Sequence, residues 1–154
     1  MNELKKSEYV VNAIKNGTVI DRVLPKSLFK AISILGLEKS NAQITFGNNL
    51  DSKILGKKAI IKISDKFFDE DEVNKIALVA PEARLNIIRD FNVVEKREVE
   101  VPNELTGIVK CVNPKCITNN EKITTKFYVV TKKPVTLKCF YCEKIVEQEQ
   151  MSIL

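Results

Sequence analysis

The sequence predicts an α+β protein in two parts. Residues 1–100 read as a ferredoxin-like antiparallel sheet with two helices on one face, and residues 101–154 as a small all-β module organised by four cysteines. Three observations carry this. The first hundred residues alternate in the order β-α-β-β-α-β, with one further strand. All four cysteines fall in the last third, as Cys111-x4-Cys116 and Cys139-x2-Cys142. Between the two parts, from Glu98 to Glu104, the chain turns polar and contains Pro102, as a boundary does.

The elements follow in order. Gly17-Thr18-Val19-Ile20-Asp21-Arg22-Val23 is rich in β-branched residues and predicts a strand. Pro25 fits a first helical turn, because its missing N–H is one the helix would leave unpaired. Leu28, Ala31, Ile32 and Leu35 follow at helical spacing, and Gly36 ends the run. Gln43 to Gly47 alternates as a strand, Asn48 to Gly56 reads as a loop, and Ala59 to Ile63 is a stronger strand. Asp69 caps a second helix, with Glu72 three residues on to complete a capping box. Val73, Ile76, Ala77 and Ala80 form its buried stripe, and Pro81 stops it. Leu85 to Ile88 and Phe91 to Lys96 are the last two strands of this part.

In the second part, Lys126 to Thr131 and Val135 to Leu137 predict two strands around a turn at Lys132-Lys133-Pro134, and Ile145-Val146 predicts another. The two cysteine pairs flank this hairpin with 22 residues between them. Two close pairs on separate turns each deliver two corners of a tetrahedral thiolate site, the arrangement of structural Zn(II). Disulfides are the competing reading and suit an oxidising compartment. A redox dithiol at Cys139-Phe140-Tyr141-Cys142 is the other, but that motif opens a helix in a βαβ setting, whereas here β-prone residues lie on both sides. The reading taken is one structural Zn(II) on Cys111, Cys116, Cys139 and Cys142. A module this small lacks a self-sufficient core, so the metal supplies folding free energy.

Composition narrows function. The chain has no histidine, which excludes Ser-His and Cys-His nucleophile pairs, a histidine base and a histidine metal ligand. No apolar run reaches the roughly 20 residues that span a bilayer, and the N-terminus carries no signal-peptide core. The expectation is a soluble, cytoplasmic protein. The net charge of +5 is a mild lysine excess, read as solvated surface. Glycine-rich phosphate loops are absent. Lys57, Lys58, Lys62 and Lys96 scatter around predicted strands, with Asp21 at a strand end. Taken alone they read as surface charges, while lysines near one carboxylate also suit a nucleotide, ammonium to phosphate and carboxylate to ribose.

These residues carry a resemblance. Gly17 to Asp21, Gly56-Lys57-Lys58-Ala59-Ile60-Ile61-Lys62-Ile63, Ala80-Pro81-Glu82-Ala83 with Asn86, Asn113-Pro114-Lys115-Cys116-Ile117, and Leu137 to Lys144 stand in the order and spacing of aspartate carbamoyltransferase regulatory chains. The sequence is similar to that family from about Tyr9 to Lys144. The resemblance implies a non-catalytic subunit that joins regulatory dimers to the catalytic chain, with dimerisation through the N-terminal domain. That domain would bind the nucleotide effectors CTP and ATP, and the zinc domain would contact the catalytic chain. Carried over residue by residue, Asp21 and Lys62 would serve the ribose and Lys96 the phosphates. Val11, Ala13 and Ile14 would line the base pocket, partly through backbone groups. Asn86, Ile88, Phe91 and Val93 would form the opposite wall, and Lys58 would assist at the phosphates or a second nucleotide. Arg22 stands where the family pattern has histidine. It binds phosphate by geometry but does not titrate near neutral pH.

Two rival classes fare worse. A zinc-ribbon nucleic-acid binder needs a basic face, but residues 101–154 hold eight lysines against five glutamates, a formal +3 that four thiolates and a divalent cation reduce to about +1. An enzyme needs a nucleophile or an open metal position, and the sequence offers neither. No nucleic-acid or membrane partner is expected.

Overall fold

A computed structural model of the chain describes residues 13–154. Its first sheet has five antiparallel strands, β1 (Gly17–Val23), β2 (Ile44–Ser52), β3 (Gly56–Ser64), β4 (Arg84–Arg89) and β5 (Asn92–Glu98), in the order β2-β3-β1-β4-β5. That is the ferredoxin-like order with β5 added beside β4. Helix α1 (Leu28–Ile34) follows a 3-10 turn at Pro25–Ser27, and helix α2 (Glu70–Val79) links β3 to β4.

Local chemistry sets these boundaries. Gly36, at φ 64°, occupies the left-handed conformation that terminates α1. The Glu72 backbone N–H donates to Asp69 Oδ1 at 2.9 Å, and the Asp69 N–H donates back to Glu72 Oε1 at 3.3 Å. This reciprocal cap starts α2 as the sequence predicts. The predicted loop from Asn48 to Gly56 is largely strand. β2 continues to Ser52, and Leu50 and Asp51 pair with Lys58 and Lys57. A bulge interrupts the ladder after Gly47, where Asn49 takes φ 55°. Two polar asparagines break the alternation that identifies a strand, although the backbone ladder runs on. Phe91 belongs to a turn rather than a strand, since Asp90 and Phe91 are both left-handed.

The second part holds β6 (Glu104–Thr106), β7 (Val109–Lys110), β8 (Lys126–Lys132), β9 (Val135–Cys139), β10 (Ile145–Glu147) and β11 (Ser152–Ile153). They form a four-stranded sheet, β10-β9-β8-β6, and a pair, β11-β7. The all-β expectation needs correction here. A one-turn helix, α3 (Ile117–Asn120), follows Cys116, and a 3-10 turn spans Gln148–Gln150. Four residues are too few to show a helical period, so the sequence pattern hides α3.

Side-chain parity divides the first sheet. Ile20 and Val23 of β1, Ala59, Ile61 and Ile63 of β3, and Leu85 of β4 pack with Leu28 and Ala31 of α1 and Val73, Ile76 and Ala77 of α2. Both helices therefore cover one face. Arg97 of β5 reaches Glu70 of α2 on that side at 2.8 Å. The opposite face is open and carries a smaller apolar cluster of Ile14, Val19 and Ile88, with Ile60 against it. The main core does not stop at the end of the sheet. It continues through Val99 and Val101 into Leu105, Val109, Phe127, Leu137 and Val146. Burial of these apolar side chains, worth about 1.5–3 kcal/mol each relative to exposure, joins the two parts without a gap.

At Gly17 the backbone of β3 leaves no room for a side chain. The glycine φ is +141°, and an added Cβ would lie 2.1 Å from the Ile63 carbonyl oxygen. Gly17→Ala is expected to cost at least about 3 kcal/mol in urea unfolding. Gly56→Ala, also at positive φ but with no heavy atom within 4 Å, should cost about 1–2 kcal/mol. Equal losses at the two positions would contradict the close approach.

Candidate functional site: a four-thiol centre and a cleft on the open sheet face

The four cysteines meet at one point. Cys111, Cys116 and Cys139 are buried and Cys142 is half-buried. Cys111 Sγ lies 3.6 Å from Cys142 Sγ, and Cys116 Sγ lies 3.8 Å from Cys139 Sγ. All four sulfurs are within 4.8 Å of one another. A metal held tetrahedrally by thiolates at about 2.3 Å requires sulfur–sulfur edges of roughly 3.8 Å. A disulfide requires about 2.05 Å. The thiols are free, and the donor set fits a closed metal centre.

Backbone turns and asparagine amides hold the corners in place. Asn119 Nδ2 donates to the carbonyls of Cys111 and Asn113 at 2.9 and 2.7 Å, and Asn120 Nδ2 donates to those of Pro114 and Cys116 at 3.0 and 2.8 Å. Helix α3 thus clamps the Cys111–Cys116 loop. The second corner is a tight turn in which the Glu143 N–H donates to Cys139 O, the Cys139 N–H donates to Lys144 O, and Glu143 takes φ 62°. The sequence pattern marks neither asparagine; their only signal is the amide pair three and four residues after Cys116.

Without a cation, four thiolates cannot share this space. Burial pushes Cys111 up to about 12 and raises Cys139 as well. Burial also acts upward on Cys142, but the Lys144 backbone N–H and the Asn113 side chain outweigh it and bring that thiol down to about 7. At neutral pH Cys111 and Cys139 therefore each hold a proton that a bound cation must displace. Cys142 adds a further proton only below about pH 7. Metal affinity should fall as pH falls, by about tenfold per unit for each proton displaced, hence at least about a hundredfold between pH 8 and 6. A Zn(II) titration against a competing chelator measures this, and a flat profile would contradict a thiol-held site.

The second site lies on the open face of the five-stranded sheet. Cross-strand partners form one row across it: Thr45 of β2, Lys62 of β3, Val19 of β1, Asn86 of β4 and Lys96 of β5. Residues directly opposite one another share a face, so Lys62, Asn86 and Lys96 project to the same side. Lys62 is only 8% exposed, which corrects its reading as a surface charge. A cleft of about 660 Å³ lies over the middle of this row, at Lys62, Val19 and Asn86. Its lining includes Ala13, Ile14, Asp21, Lys58 and Lys62 on one side, and Asn86, Ile88, Phe91 and Val93 on the other. Arg22 and Lys96 line a smaller adjoining cleft of about 270 Å³, which shares Asp21, Lys58 and Asn86. Val11 lies outside the described residues.

A bulge in β1 shapes the junction between the two clefts. The β1–β3 register shifts between Ile20 and Val23, and Arg22 takes φ 59°. Its backbone N–H donates to Asp21 Oδ1 at 2.7 Å, and Lys58 Nζ reaches the same oxygen at 2.9 Å. Asp21 is therefore paired with Lys58. Bulges commonly re-aim side chains at binding sites. Asn86 lines both clefts, and its Oδ1 is buried with no hydrogen-bond partner among the described residues. Asn49, Leu50 and Asp51 also line the large cleft, and Arg84 lines the small one. The bulged end of β2 brings the first three in, a feature masked by the loop-like sequence.

No helix among the described residues is long and apolar enough to cross a membrane. A family model described as the allosteric domain of the aspartate carbamoyltransferase regulatory chain matches residues 9–100. A second, for the metal binding domain of the same chain, matches residues 103–152. Curated relatives bear the same name. One from Parabacteroides distasonis is 54% identical over 153 residues, covering 99% of both chains. One from Bacteroides fragilis is 55% identical over the full length of both, and one from Pyrococcus horikoshii is 52% identical over 94% of this chain and 96% of its own. Identity this high over both cysteine pairs and the whole first sheet is decisive: the chain belongs to the family of aspartate carbamoyltransferase regulatory chains, non-catalytic subunits with an allosteric and a metal-binding domain.

Proposed function

We propose that this chain binds CTP and ATP in the open-face cleft and passes the effect of binding to an aspartate carbamoyltransferase catalytic chain through a zinc-ordered module. The observation that carries the nucleotide reading is the row Lys62–Val19–Asn86–Lys96, two cations and an unsatisfied amide oxygen in line with an apolar surface. The apolar patch of Ile14, Val19 and Ile88 suits the flat face of a base, and Ala13 lines the same cleft. Asp21 and Lys62 serve the ribose hydroxyls. Lys96 takes the phosphates, supported by Lys58 and by Arg22 in the adjoining cleft. Phe91 and Val93 close the far wall. The planar guanidinium of Arg22 matches a phosphate by geometry.

The metal is read as zinc. A tetrahedral all-sulfur site suits Zn(II) or iron, and a structural role needs no redox chemistry. Bound there, the ion stabilises thiolates and cross-links the Cys111–Cys116 loop to the Cys139–Cys142 turn. The residues ordered by that link include an exposed aromatic group. Tyr128 and Phe140 pack edge to face at 5.8 Å, Phe140 and Tyr141 at 5.1 Å, and Lys126 lies over the first two rings. Exposed aromatics beside a cation are the composition of a protein interface, so this surface is assigned to the catalytic chain. Dimerisation is assigned to the first domain, where Phe29 of α1 and Phe46 of edge strand β2 stand exposed 5.9 Å apart. Four reduced cysteines agree with a cytoplasmic location.

Coupling requires the nucleotide to bind the two quaternary states unequally. The continuous core supplies the mechanical link, since a shift on the sheet is carried through Val99 and Val101 into the zinc module. Calorimetry of CTP and ATP on the chain, and aspartate saturation curves of the assembled enzyme with each nucleotide, test this. The expected result is binding that Lys62→Met weakens at least about tenfold, with metal content unchanged. The aspartate curve should shift with a coupling of about 1–3 kcal/mol. Nucleotide binding without any shift would overturn the allosteric role, and binding unaffected by Lys62→Met would overturn the site.

A further inference from the structure

A cleft of about 460 Å³ lies between the two domains, and it shares no residue with the nucleotide cleft. One wall belongs to the first domain: Lys26, Ser27 and Lys30 at the start of α1, with Val79 from the end of α2. The other belongs to the second: Thr136 of β9 and the run Glu147, Gln148 and Glu149. The volume falls in the range of small-molecule sites, roughly 300–1,000 Å³.

The charges on the two walls are opposite, and only Glu147 has a local task, capping the 3-10 turn that follows it. Neither lysine forms a salt bridge, and neither glutamate does, among the described residues. The polar contact that crosses the cleft is Lys30 Nζ donating to the Gln148 backbone carbonyl at 3.4 Å, a long bond. Ser27 lines this cleft and is 7% exposed, and its hydroxyl has no hydrogen-bond partner among the described residues. A hydroxyl open to a cavity from an otherwise buried residue is a donor and acceptor available to a ligand. Val79 and the Pro134 ring add apolar surface beside it.

We infer that this interdomain cleft binds a small zwitterion of the amino-acid class, carboxylate toward Lys26, Lys30 and the Ser27 hydroxyl, ammonium toward Glu147 and Glu149. The charge pattern selects the class. A simple anion drawn to the lysines meets the glutamates across the gap, and a simple cation meets the lysines. A molecule bearing both charges makes charge-assisted hydrogen bonds to both walls. Because the walls belong to different domains, such a ligand favours the relative arrangement that closes on it. It is thereby a second input to the coupling, independent of the nucleotide.

The test uses the full metal-loaded chain and L-glutamine as probe, with acetate and methylammonium as single-charge controls, followed by amide NMR shifts. Saturable shifts at Ser27, Val79 and Gln148 are expected with a dissociation constant on the order of 1 mM. Each control should bind at least about tenfold more weakly. Lys30→Met and Glu149→Gln should each weaken glutamine binding about fivefold or more, and Ser27→Ala should do so without adding or removing charge. Absence of saturable shifts, acetate binding equal to glutamine, or binding indifferent to all three substitutions would overturn the assignment. CTP binding left intact in the same samples separates failure of this site from failure of the nucleotide site.

Discussion

Four sulfur atoms held at the corners of one tetrahedron are the constraint on which the second domain depends. The chain must bring Cys111 and Cys116 on one loop against Cys139 and Cys142 on another, across a hairpin of 22 residues. With sulfur separations of 3.6 Å for Cys111–Cys142 and 3.8 Å for Cys116–Cys139, the geometry is ready for a cation and wrong for disulfides. A divalent charge makes four closely packed thiolates compatible, so metal binding is expected to be coupled to folding of this region. Phe140 and Tyr141 of the aromatic group lie on the second cysteine turn, next to that centre, and Tyr128 packs against Phe140.

The first domain solves a different problem with strand parity. Alternate residues of β3 go to opposite faces: Ala59, Ile61 and Ile63 to the helices, Lys58, Ile60 and Lys62 to the open side. A sheet covered on one face is stable enough to leave the other for a ligand. The row from Lys62 to Lys96 uses that freedom, and the Asp21–Arg22 bulge turns the chain locally so that a carboxylate and a guanidinium flank it. The two domains then communicate through apolar contact rather than a flexible tether. The core runs unbroken from Ile20 through Val101 to Phe127.

Much of this was legible in the sequence. The cysteine spacing defines the metal centre because coordination geometry leaves few arrangements of two short-looped pairs. The helices over Leu28–Ile34 and Glu70–Val79 follow from apolar period, Pro25, Gly36 and the Asp69–Glu72 box. Other features were hidden for physical reasons. The far end of β2 carries two asparagines and a bulge, so its pairing leaves no alternation to read. The one-turn helix after Cys116 is too short for a period, and its work is done by the amides of Asn119 and Asn120. Burial of Lys62 depends on which strands neighbour β3, which no local pattern contains. The interdomain cleft joins residues about 120 positions apart, Lys30 and Gln148, and has no sequence signature.

The central claim is that the metal organises a docking surface for the catalytic chain. Sedimentation of the assembled complex before and after verified removal of the metal tests it most directly. The account predicts that the catalytic chain is released when the metal is lost and rebinds when Zn(II) is restored. A complex that stays intact at full metal depletion would contradict it.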